Sequence, residues 1–336
     1  MSIAIIGGGA AGTLVCLELL RAGIEPHQIT LIDPYLDGGA LSRHWGGIMS
    51  NTRWVQITEA LKNFPSMQKP IQELSTFYTP ESTVLLKDLG WLLSEALRPS
   101  LDDLNICLDM VQEIQAYADG GWKVLLSSGS QVFAKVFLCQ GGQQKRLDFG
   151  KPSLPLEIAL DPARLGRLVR PNQAVAVFGL AHSGTLVCKH ILALGAKVYA
   201  VHNREKPFLF ERDGAYDGIK QESADIADSL LASPNGVEFV PYNDTPRLFK
   251  ILKKVNWIVS CTGFQASPIQ ILNAEGTVLS WTSYSPETAE VAPNLFGFGL
   301  AYPGVTILEG KTYQDVSIPA FINQIQRCLP TILSKS

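Results

Sequence analysis

The sequence predicts an α/β fold in which one parallel-sheet domain is inserted into another. Two stretches predict it: at residues 2–21 and again at 174–194, a short apolar run leads through a glycine-rich turn into an amphipathic stretch. Between and after them, short β-rich runs alternate with segments of helical spacing. The length of 336 residues agrees with this interpretation, because it exceeds one average domain and fits two.

The first stretch has the pattern strand, tight turn, helix. The apolar run Ser2–Ile6 is followed by glycines at the three glycine positions of a G-x-G-x-x-G motif, namely Gly7, Gly9 and Gly12. Gly7 permits the sharp turn, and Gly9 lets the backbone approach a pyrophosphate. Gly12 lets the helix pack closely on the strand. The pattern therefore predicts a dinucleotide-binding turn, with an ordinary glycine-rich structural turn as the alternative.

Two neighbouring features support a dinucleotide at this turn. The helix offers free N–H groups at its start, around Ala10 and Ala11, where the positive end of its dipole favours an anion. A second strand, residues 28–32, ends in Asp33. A carboxylate at that position can accept hydrogen bonds from an adenosine ribose.

A glycine-rich loop with interleaved Arg43, His44 and Trp45 follows at residues 37–47. Such a loop can run along the rest of a long ligand, because glycines allow close approach of the backbone. The alternative is a surface loop anchored by Trp45. We count Arg43 and Trp45 as candidate cofactor contacts.

The middle of the chain first favours helices and then strands. Residues 145–171 are rich in proline and charge, which indicates a crossing between domains. The spacing predicts helices at 58–64, 70–77 and 80–97, and strands at 105–108, 111–117, 122–127 and 131–139.

The opening pattern recurs at residues 174–201. The glycine turn runs from Gly179 to Gly184, with Ala181 in place of the middle glycine and with His182 and Ser183 inside it. A small side chain at Ala181 still allows a phosphate nearby. For His182 we expect either packing or a phosphate contact.

Arg204 follows the second strand of this repeat, where the first repeat has a carboxylate. An arginine there suits a ribose 2′-phosphate, which predicts NADPH rather than NADH. The alternative is that Arg204 is a solvated surface residue. Two dinucleotide sites in one chain suggest electron transfer from one nucleotide to the other.

Composition and charge exclude several classes of protein. A hydrophobic content of 46% with 18% charged residues is typical of a buried globular core. The net charge of −3, without a basic tract, argues against nucleic acid and anionic membranes as partners. The apolar strand begins at Ser2, so we expect no signal peptide and a cytoplasmic protein. The six scattered cysteines predict reduced thiols and no metal site.

Four features together carry a resemblance to a known superfamily. They are Gly7–Gly12 with Asp33, Gly179–Gly184 with Arg204, Cys261–Phe264 after an apolar strand, and Asn294–Ala301. The chain resembles the two-dinucleotide-binding-domain flavoproteins, in which an NAD(P)H-binding domain is inserted into an FAD-binding domain.

The resemblance implies two Rossmann-like three-layer domains. One is a discontinuous FAD domain of residues 1–170 and 262–336, and the other is an NAD(P)H domain of residues 171–261. It also implies tightly held FAD, with NADPH as the reductant. The residues that it adds to the cofactor contacts are Thr262, Gly263, Gly299 and Leu300.

Within the superfamily, the chain is most similar to the flavin-containing monooxygenases and the N-hydroxylating enzymes. Like them it lacks the redox cysteine pair of the disulfide reductases, and Phe264 and Asn51 match their pattern. This implies oxygen transfer from O2 to a small nitrogen- or sulfur-containing substrate. The alternatives are a reductase or oxidase without oxygen insertion and a non-catalytic nucleotide-dependent switch. The oligomeric state stays open.

The candidate catalytic residues are Asn51 and His44. The Asn51 amide could face the flavin and slow the loss of peroxide; otherwise it caps a helix starting near Thr52. His44 could donate a proton near the flavin, or it could simply stack on Trp45.

Overall fold

The computed structural model describes residues 2–117, 119–210, 218–267, 269–279, 284–308 and 311–334. The chain forms two compact units. The first comprises Met1–Gly46, Thr52–Gln143 and Gln265–Ser336, and the second comprises Gly47–Asn51 and Gln144–Phe264.

The N-terminal part alternates strands with helices before it turns to short antiparallel strands. In chain order the elements are β1 (Ile3–Ile6), α1 (Ala10–Arg21), β2 (Ile29–Ile32), α2 (Ala40–Arg43), β3 (Met49–Arg53), α3 (Trp54–Leu61), α4 (Pro65–Leu74), β4 (Thr83–Leu85), α5 (Leu86–Leu97), β5 (Asn105–Cys107), β6 (Val111–Ala116), β7 (Trp122–Leu126), β8 (Gly129–Phe133), β9 (Lys135–Leu138) and β10 (Gly142–Gln144).

The central part repeats the alternation, and the C-terminal part ends in a long helix. The central elements are α6 (Leu156–Ala159), α7 (Pro162–Leu168), β11 (Ala174–Phe178), α8 (His182–Ala193), β12 (Lys197–His202), α9 (Gln221–Ala232), β13 (Val237–Pro241), α10 (Thr245–Lys254), β14 (Trp257–Ser260) and β15 (Phe264–Ala266). The C-terminal elements are β16 (Gln270–Leu272), β17 (Glu290–Ala292), β18 (Leu295–Gly297), β19 (Gly304–Leu308), β20 (Lys311–Asp315) and α11 (Ile318–Ser334).

The first unit is built in three layers around a sheet of order β17-β18-β9-β1-β2-β5. β1 lies in the middle and pairs in parallel with β2 and β9, with Ile3 opposite Ile29 and Lys135. Because strand side chains alternate, Ile3 and Ile5 pack on a core shared with α1, α5 and α11. Ala4 and Ile6 face the opposite core, under the sheet β16-β6-β7-β8.

The second unit has a parallel sheet of order β13-β12-β11-β14. β11 pairs with β12 and β14 in the register that β1 keeps with β2 and β9. One face of this sheet packs on α10 and on Phe149. The fold class predicted from the sequence, two Rossmann-like units of which one is inserted into the other, is confirmed.

The units divide the chain at residues 143 and 264 rather than at the predicted 170 and 261. Residues 144–170 belong to the second unit because they extend its sheet. The Leu154 N–H donates to the Ile258 carbonyl at 2.8 Å, and the Ile258 N–H donates to the Pro152 carbonyl at 2.9 Å. Residues 47–51 also join the second unit, which the sequence did not predict.

Several elements of the structure differ from the sequence prediction. The helix predicted at 80–97 starts only at Leu86, because Thr83–Leu85 form β4. The strand predicted at 131–139 is divided between β8 and β9. The amphipathic helix α11 was not predicted, although it covers the first core. Among the described ranges, no helix combines the length and apolar character needed to span a bilayer.

Candidate functional site

The glycine turn of the first unit requires glycine at two positions for steric reasons. Gly7 has φ +101°, and a Cβ there would clash with the Cys139 carbonyl at the end of β9. A Cβ on Gly12 would clash with the Gly7 carbonyl, because α1 packs directly on the turn. Gly9 is different: among the described residues, the nearest atom to a Cβ would be the Gly39 Cα at 3.8 Å. Gly9 is thus the position where backbone is left open to a ligand.

Asp33 is buried at the end of β2 and accepts hydrogen bonds from three backbone N–H groups. Its Oδ2 accepts from Gly8 at 2.8 Å, and its Oδ1 accepts from Tyr35 at 2.8 Å and from Leu36 at 2.9 Å. A carboxylate has about four acceptor sites, so one site on Oδ2 stays available to a ribose hydroxyl. Asp33 therefore also organises the turn itself, a role that the sequence did not predict.

The loop after Asp33 lies against the glycine turn through Gly39. Gly39 has φ +68°, and its Cβ would be 2.8 Å from the Gly9 Cα. Arg43 is held within the loop, since its Nε lies 3.1 Å from Asp37 Oδ1 and its guanidinium lies 4.1 Å from the Tyr35 ring centroid. The sequence missed Gly39 as a site residue, although the Gly38-Gly39 pair was a usable signal.

His44 and Trp45 lie next to each other at the end of α2. Their ring centroids are 6.2 Å apart in an edge arrangement, and His44 is exposed. The backbone N–H of Trp45 donates to the Ala40 carbonyl at 3.1 Å. The rings meet edge-on rather than stacked, and the role of His44 as a proton donor stays a prediction.

The C-terminal glycine segment reaches the start of α1. Gly299 has φ +89°, and its Cβ would be 2.6 Å from the Ala11 Cβ. Leu300 packs on the adjacent core. Gln140, at the end of β9, donates to the Tyr302 hydroxyl at 3.4 Å. Three of the predicted cofactor contacts, Ala11, Gly299 and Leu300, thus lie close together. Nothing in the sequence pointed to Gln140 or Tyr302 as neighbours of this segment.

The second unit reproduces the first turn with the same atoms. A Cβ on Gly179, with φ +91°, would clash with the Cys261 carbonyl, and one on Gly184 would clash with the Gly179 carbonyl. Ala181 has φ −78° and ψ −166°, against −76° and −162° for Gly9. Replacing the middle glycine has therefore left the backbone of the turn unchanged.

His182, the first residue of α8, is engaged by the protein at both ring nitrogens. Nε2 lies 2.9 Å from the Met49 carbonyl and Nδ1 is hydrogen-bonded to the Ser223 hydroxyl. Burial lowers the pKa of His182, opposed by the hydrogen bond to Met49. The neutral ring must carry its proton on Nε2, because a carbonyl only accepts, so Nδ1 accepts from Ser223. These contacts correspond to the packing alternative for His182.

The other predicted residues of the second unit lie near strand ends. Arg204 is exposed just after β12, and its carbonyl accepts from Nδ1 of the buried His202 at 2.8 Å. Ser183 follows His182 in the first turn of α8. Thr262 and Gly263 adjoin Lys145. The Thr262 hydroxyl donates to the backbone carbonyl of Lys145 at 3.5 Å, and the backbone N–H of Lys145 donates to the Gly263 carbonyl at 3.0 Å.

Asn51 belongs to the second unit rather than to the loop of the first. Its Nδ2 donates to the Gly218 carbonyl at 3.1 Å, and its Oδ1 accepts from the Lys220 N–H at 3.2 Å. The helix-cap alternative is wrong, because Asn51 lies within β3 and α3 starts at Trp54 with Arg53 as its N-cap.

All six cysteines are free thiols, and five of them are buried. Burial raises the pKa of Cys16 and of Cys188 to about 12 and raises the pKa of Cys139, Cys261 and Cys328 as well. The half-buried Cys107 also has a raised pKa, from burial and from the nearby Asp109. Since the thiolate is the reactive form, none of the six is activated. In the described part of the chain, no three His, Cys, Asp or Glu side chains converge as metal ligands.

Comparison with known proteins agrees with this geometry. Residues 4–143 match a family model described as FAD-NAD(P)-binding. The chain is 25% identical over 358 residues to the monooxygenase AgnR1 of Paecilomyces divaricatus, covering 89% of each protein.

Solved structures share the fold along the whole chain. The bacillithiol disulfide reductase of Staphylococcus aureus is 13% identical with a TM-score of 0.64, covering 100% of this chain and 99% of that one. The S-allyl-L-cysteine S-oxygenase of Allium sativum is 16% identical with a TM-score of 0.58, covering 98% and 76%. These structures show the fold. The family match and the similarity to AgnR1 support an oxidoreductase that uses FAD and a nicotinamide nucleotide, as the sequence predicted.

Proposed function

We propose that this protein is an NADPH-dependent FAD monooxygenase that transfers one oxygen atom of O2 to a small substrate through nitrogen or sulfur. The observation that carries the proposal is the pair of glycine turns, in which Gly7 with Gly12 and Gly179 with Gly184 make the same close approaches. Two turns of one geometry suit two dinucleotides, one in each unit. Two such nucleotides suit hydride transfer between them.

In the first unit, the residues present fit FAD. The backbone at Gly9 is open, and the first N–H groups of α1, at Ala10 and Ala11, suit a pyrophosphate. Asp33 holds the turn and keeps an acceptor site for a ribose hydroxyl. When bound, FAD would supply the chemistry that accepts a hydride and then reacts with O2.

In the second unit, the residues present fit NADPH. Ala181 keeps the backbone angles of Gly9, so the N–H groups of His182 and Ser183 correspond to those of Ala10 and Ala11 and are presented to an anion in the same way. Arg204 is exposed at the end of β12, where an adenosine ribose would lie, and Lys206 is exposed two residues later. A guanidinium there would pair with a 2′-phosphate.

The thiols argue against a disulfide reductase, even though such enzymes share the fold. Reduction of a disulfide requires a thiolate nucleophile, and the cysteine pKa values are all raised. The monooxygenase AgnR1, which matches over 89% of the chain, favours oxygen transfer instead.

The second candidate is an NADPH oxidase or reductase without oxygen insertion, and the contacts of Asn51 favour it. The side-chain oxygen of Asn51 accepts a hydrogen bond from the Lys220 N–H, and its side-chain amide donates one to the Gly218 carbonyl. An amide held in this way is less available to stabilise oxygen at a flavin.

The test is the visible spectrum of the purified protein, followed by product analysis. Anaerobic NADPH should bleach the flavin absorbance, and admitting O2 with an amine or a thioether should give oxygenated product with little hydrogen peroxide. Gly184→Ala is the control, because it should keep FAD and lose reduction by NADPH. Peroxide equal to the NADPH consumed with every substrate would favour the oxidase. Binding of both nucleotides without NADPH consumption would indicate a non-catalytic switch.

A further inference from the structure

Residues 47–51, called here the 47–51 segment, are a separate piece of chain within the second unit. The segment follows directly on the loop that contains Gly39, Arg43 and His44. Its contacts within the second unit converge on the first turn of α8 and on residues 218–223, just before and at the start of α9.

His182 forms the first of these contacts. Its neutral ring donates from Nε2 to the Met49 carbonyl at 2.9 Å and accepts from the Ser223 hydroxyl. Ser223 is fully buried in α9, so the imidazole bridges the segment, α8 and α9. A half-buried ring whose two nitrogens are both hydrogen-bonded is held in one orientation.

Asn51 forms the second contact from the other end of the segment. Its side chain bonds the Gly218 carbonyl at 3.1 Å and the Lys220 N–H at 3.2 Å. The Lys220 ammonium lies 3.5 Å from the Asn51 carbonyl, and Lys220 is buried. The segment is therefore fastened at both Met49 and Asn51.

The position of His182 connects the segment with nucleotide binding. Ala181, the N-cap of α8, has no side-chain group that can cap the first turn. An uncapped first turn is prone to fray, yet its N–H groups must stay aligned to hold a pyrophosphate. The side-chain bonds of His182 supply the missing restraint.

We propose that the 47–51 segment is a clamp that preorganises the first turn of α8 for the nicotinamide nucleotide, with His182 as the positioning residue. The inference rests on the proposed nucleotide site at this turn. Coupling between two binding events is reciprocal, so the nucleotide must in turn tighten the clamp. Occupancy of the first turn of α8 is thus linked to the order of residues 47–51 within the second unit.

The test combines nucleotide affinity with amide hydrogen exchange of the FAD-loaded protein. In the parent, NADPH should slow exchange across residues 47–51. In His182→Ala, the dissociation constant for NADPH should rise by about fivefold, and the protection of the segment by NADPH should be lost. His182→Gln should restore most of both, because an amide can donate to Met49 and accept from Ser223.

The control is His190→Ala, on the same helix. His190 bonds the Ala159 carbonyl at 3.3 Å through Nδ1 and makes none of the clamp contacts that Met49, Asn51 and Ser223 show in the described structure. It should lower stability without changing exchange of the 47–51 segment. Unchanged NADPH affinity and unchanged segment protection in His182→Ala would overturn the clamp. Absence of NADPH binding in the parent would instead overturn the proposed function.

Discussion

At the scale of single residues, Asp33 holds the glycine turn and the following loop together and is also the proposed ribose ligand. The carboxylate accepts hydrogen bonds from the backbone N–H of Gly8, in the glycine turn, and from those of Tyr35 and Leu36, in the following loop. The acceptor that a ribose would use is therefore held in place by the turn that would bind the pyrophosphate. Loss of this carboxylate should affect protein stability before any ligand is considered.

We expect Asp33→Asn to lower the free energy of unfolding of the flavin-free protein by about 1–3 kcal/mol, because an amide placed toward Gly8 N–H is a donor facing a donor. Urea denaturation measures this. FAD should also be released on purification, as seen by flavin absorbance after gel filtration. Asp148→Asn is the matched control, since the exposed Asp148 accepts only the Gly150 N–H, at 2.8 Å, among the hydrogen bonds described. Full retention of FAD would show that Asp33 does not contact the ribose.

Arg204 is the residue that should select the nucleotide. Arg204→Ala should weaken NADPH by about 10–100-fold, the worth of a charge-assisted pair, and should leave NADH nearly unchanged. Titration calorimetry with both nucleotides checks this. Lys253→Ala, an exposed charge on α10, controls for net charge. Equal losses for the two nucleotides would place the 2′-phosphate elsewhere, with Lys206 as the next candidate.

At the scale of elements, the two strand–turn–helix units can be separated by matched substitutions. Gly12→Ala and Gly184→Ala each place a Cβ against a turn carbonyl, so each should push its helix off its strand at a cost of about 1–3 kcal/mol. Gly12→Ala should lose FAD, whereas Gly184→Ala should keep FAD and lose NADPH. Flavin content and NADPH titration distinguish them.

Gly166→Ala in α7 is the control, because the nearest atom to its Cβ would be Leu194 Cδ2 at 3.4 Å, an ordinary contact. It should be neutral or stabilising, since alanine is favoured over glycine within a helix. If both turn variants kept both nucleotides, the turns would be structural only.

Helix α8 should also make stability depend on pH. Burial lowers the pKa of His182 and of His190 below the ordinary 6.5. The unfolded chain then binds more protons than the folded one, so this contribution is complete above pH 6.5 and is lost as the pH falls through the folded pKa. Each histidine should contribute a slope of at most about 1.4 kcal/mol per pH unit. Urea denaturation across this range should show a flatter profile in His190→Gln than in the parent.

At the scale of the whole molecule, thiol chemistry should be dispensable. Cys107 is the half-buried cysteine, and the other five are buried. Treatment of the native protein with iodoacetamide should therefore modify Cys107 alone. NADPH consumption should be unchanged by this treatment and in Cys107→Ser. Loss of activity in Cys107→Ser would show that a thiol takes part in the reaction and would favour a disulfide reductase.

The sequence by itself determined the two glycine turns and the fold class. This was possible because part of the requirement is local: a Cβ on Gly12 or Gly184 meets the carbonyl of Gly7 or Gly179 in the same turn. Strand, turn and helix follow one another in the chain, so their pattern is readable without knowledge of the packing.

Only the tertiary structure decided which unit the remaining residues serve. The resemblance placed Asn51 on the flavin side, whereas its hydrogen-bond partners Gly218 and Lys220 lie far along the chain, in the second unit. The resemblance placed Gly299 in the FAD domain, but its close approach to Ala11 is seen only in the structure, because parallel strands bring their carboxyl ends to one edge of a sheet whatever their separation in sequence. Contacts of this kind leave no periodicity or spacing in the chain, so they appear only when it is folded.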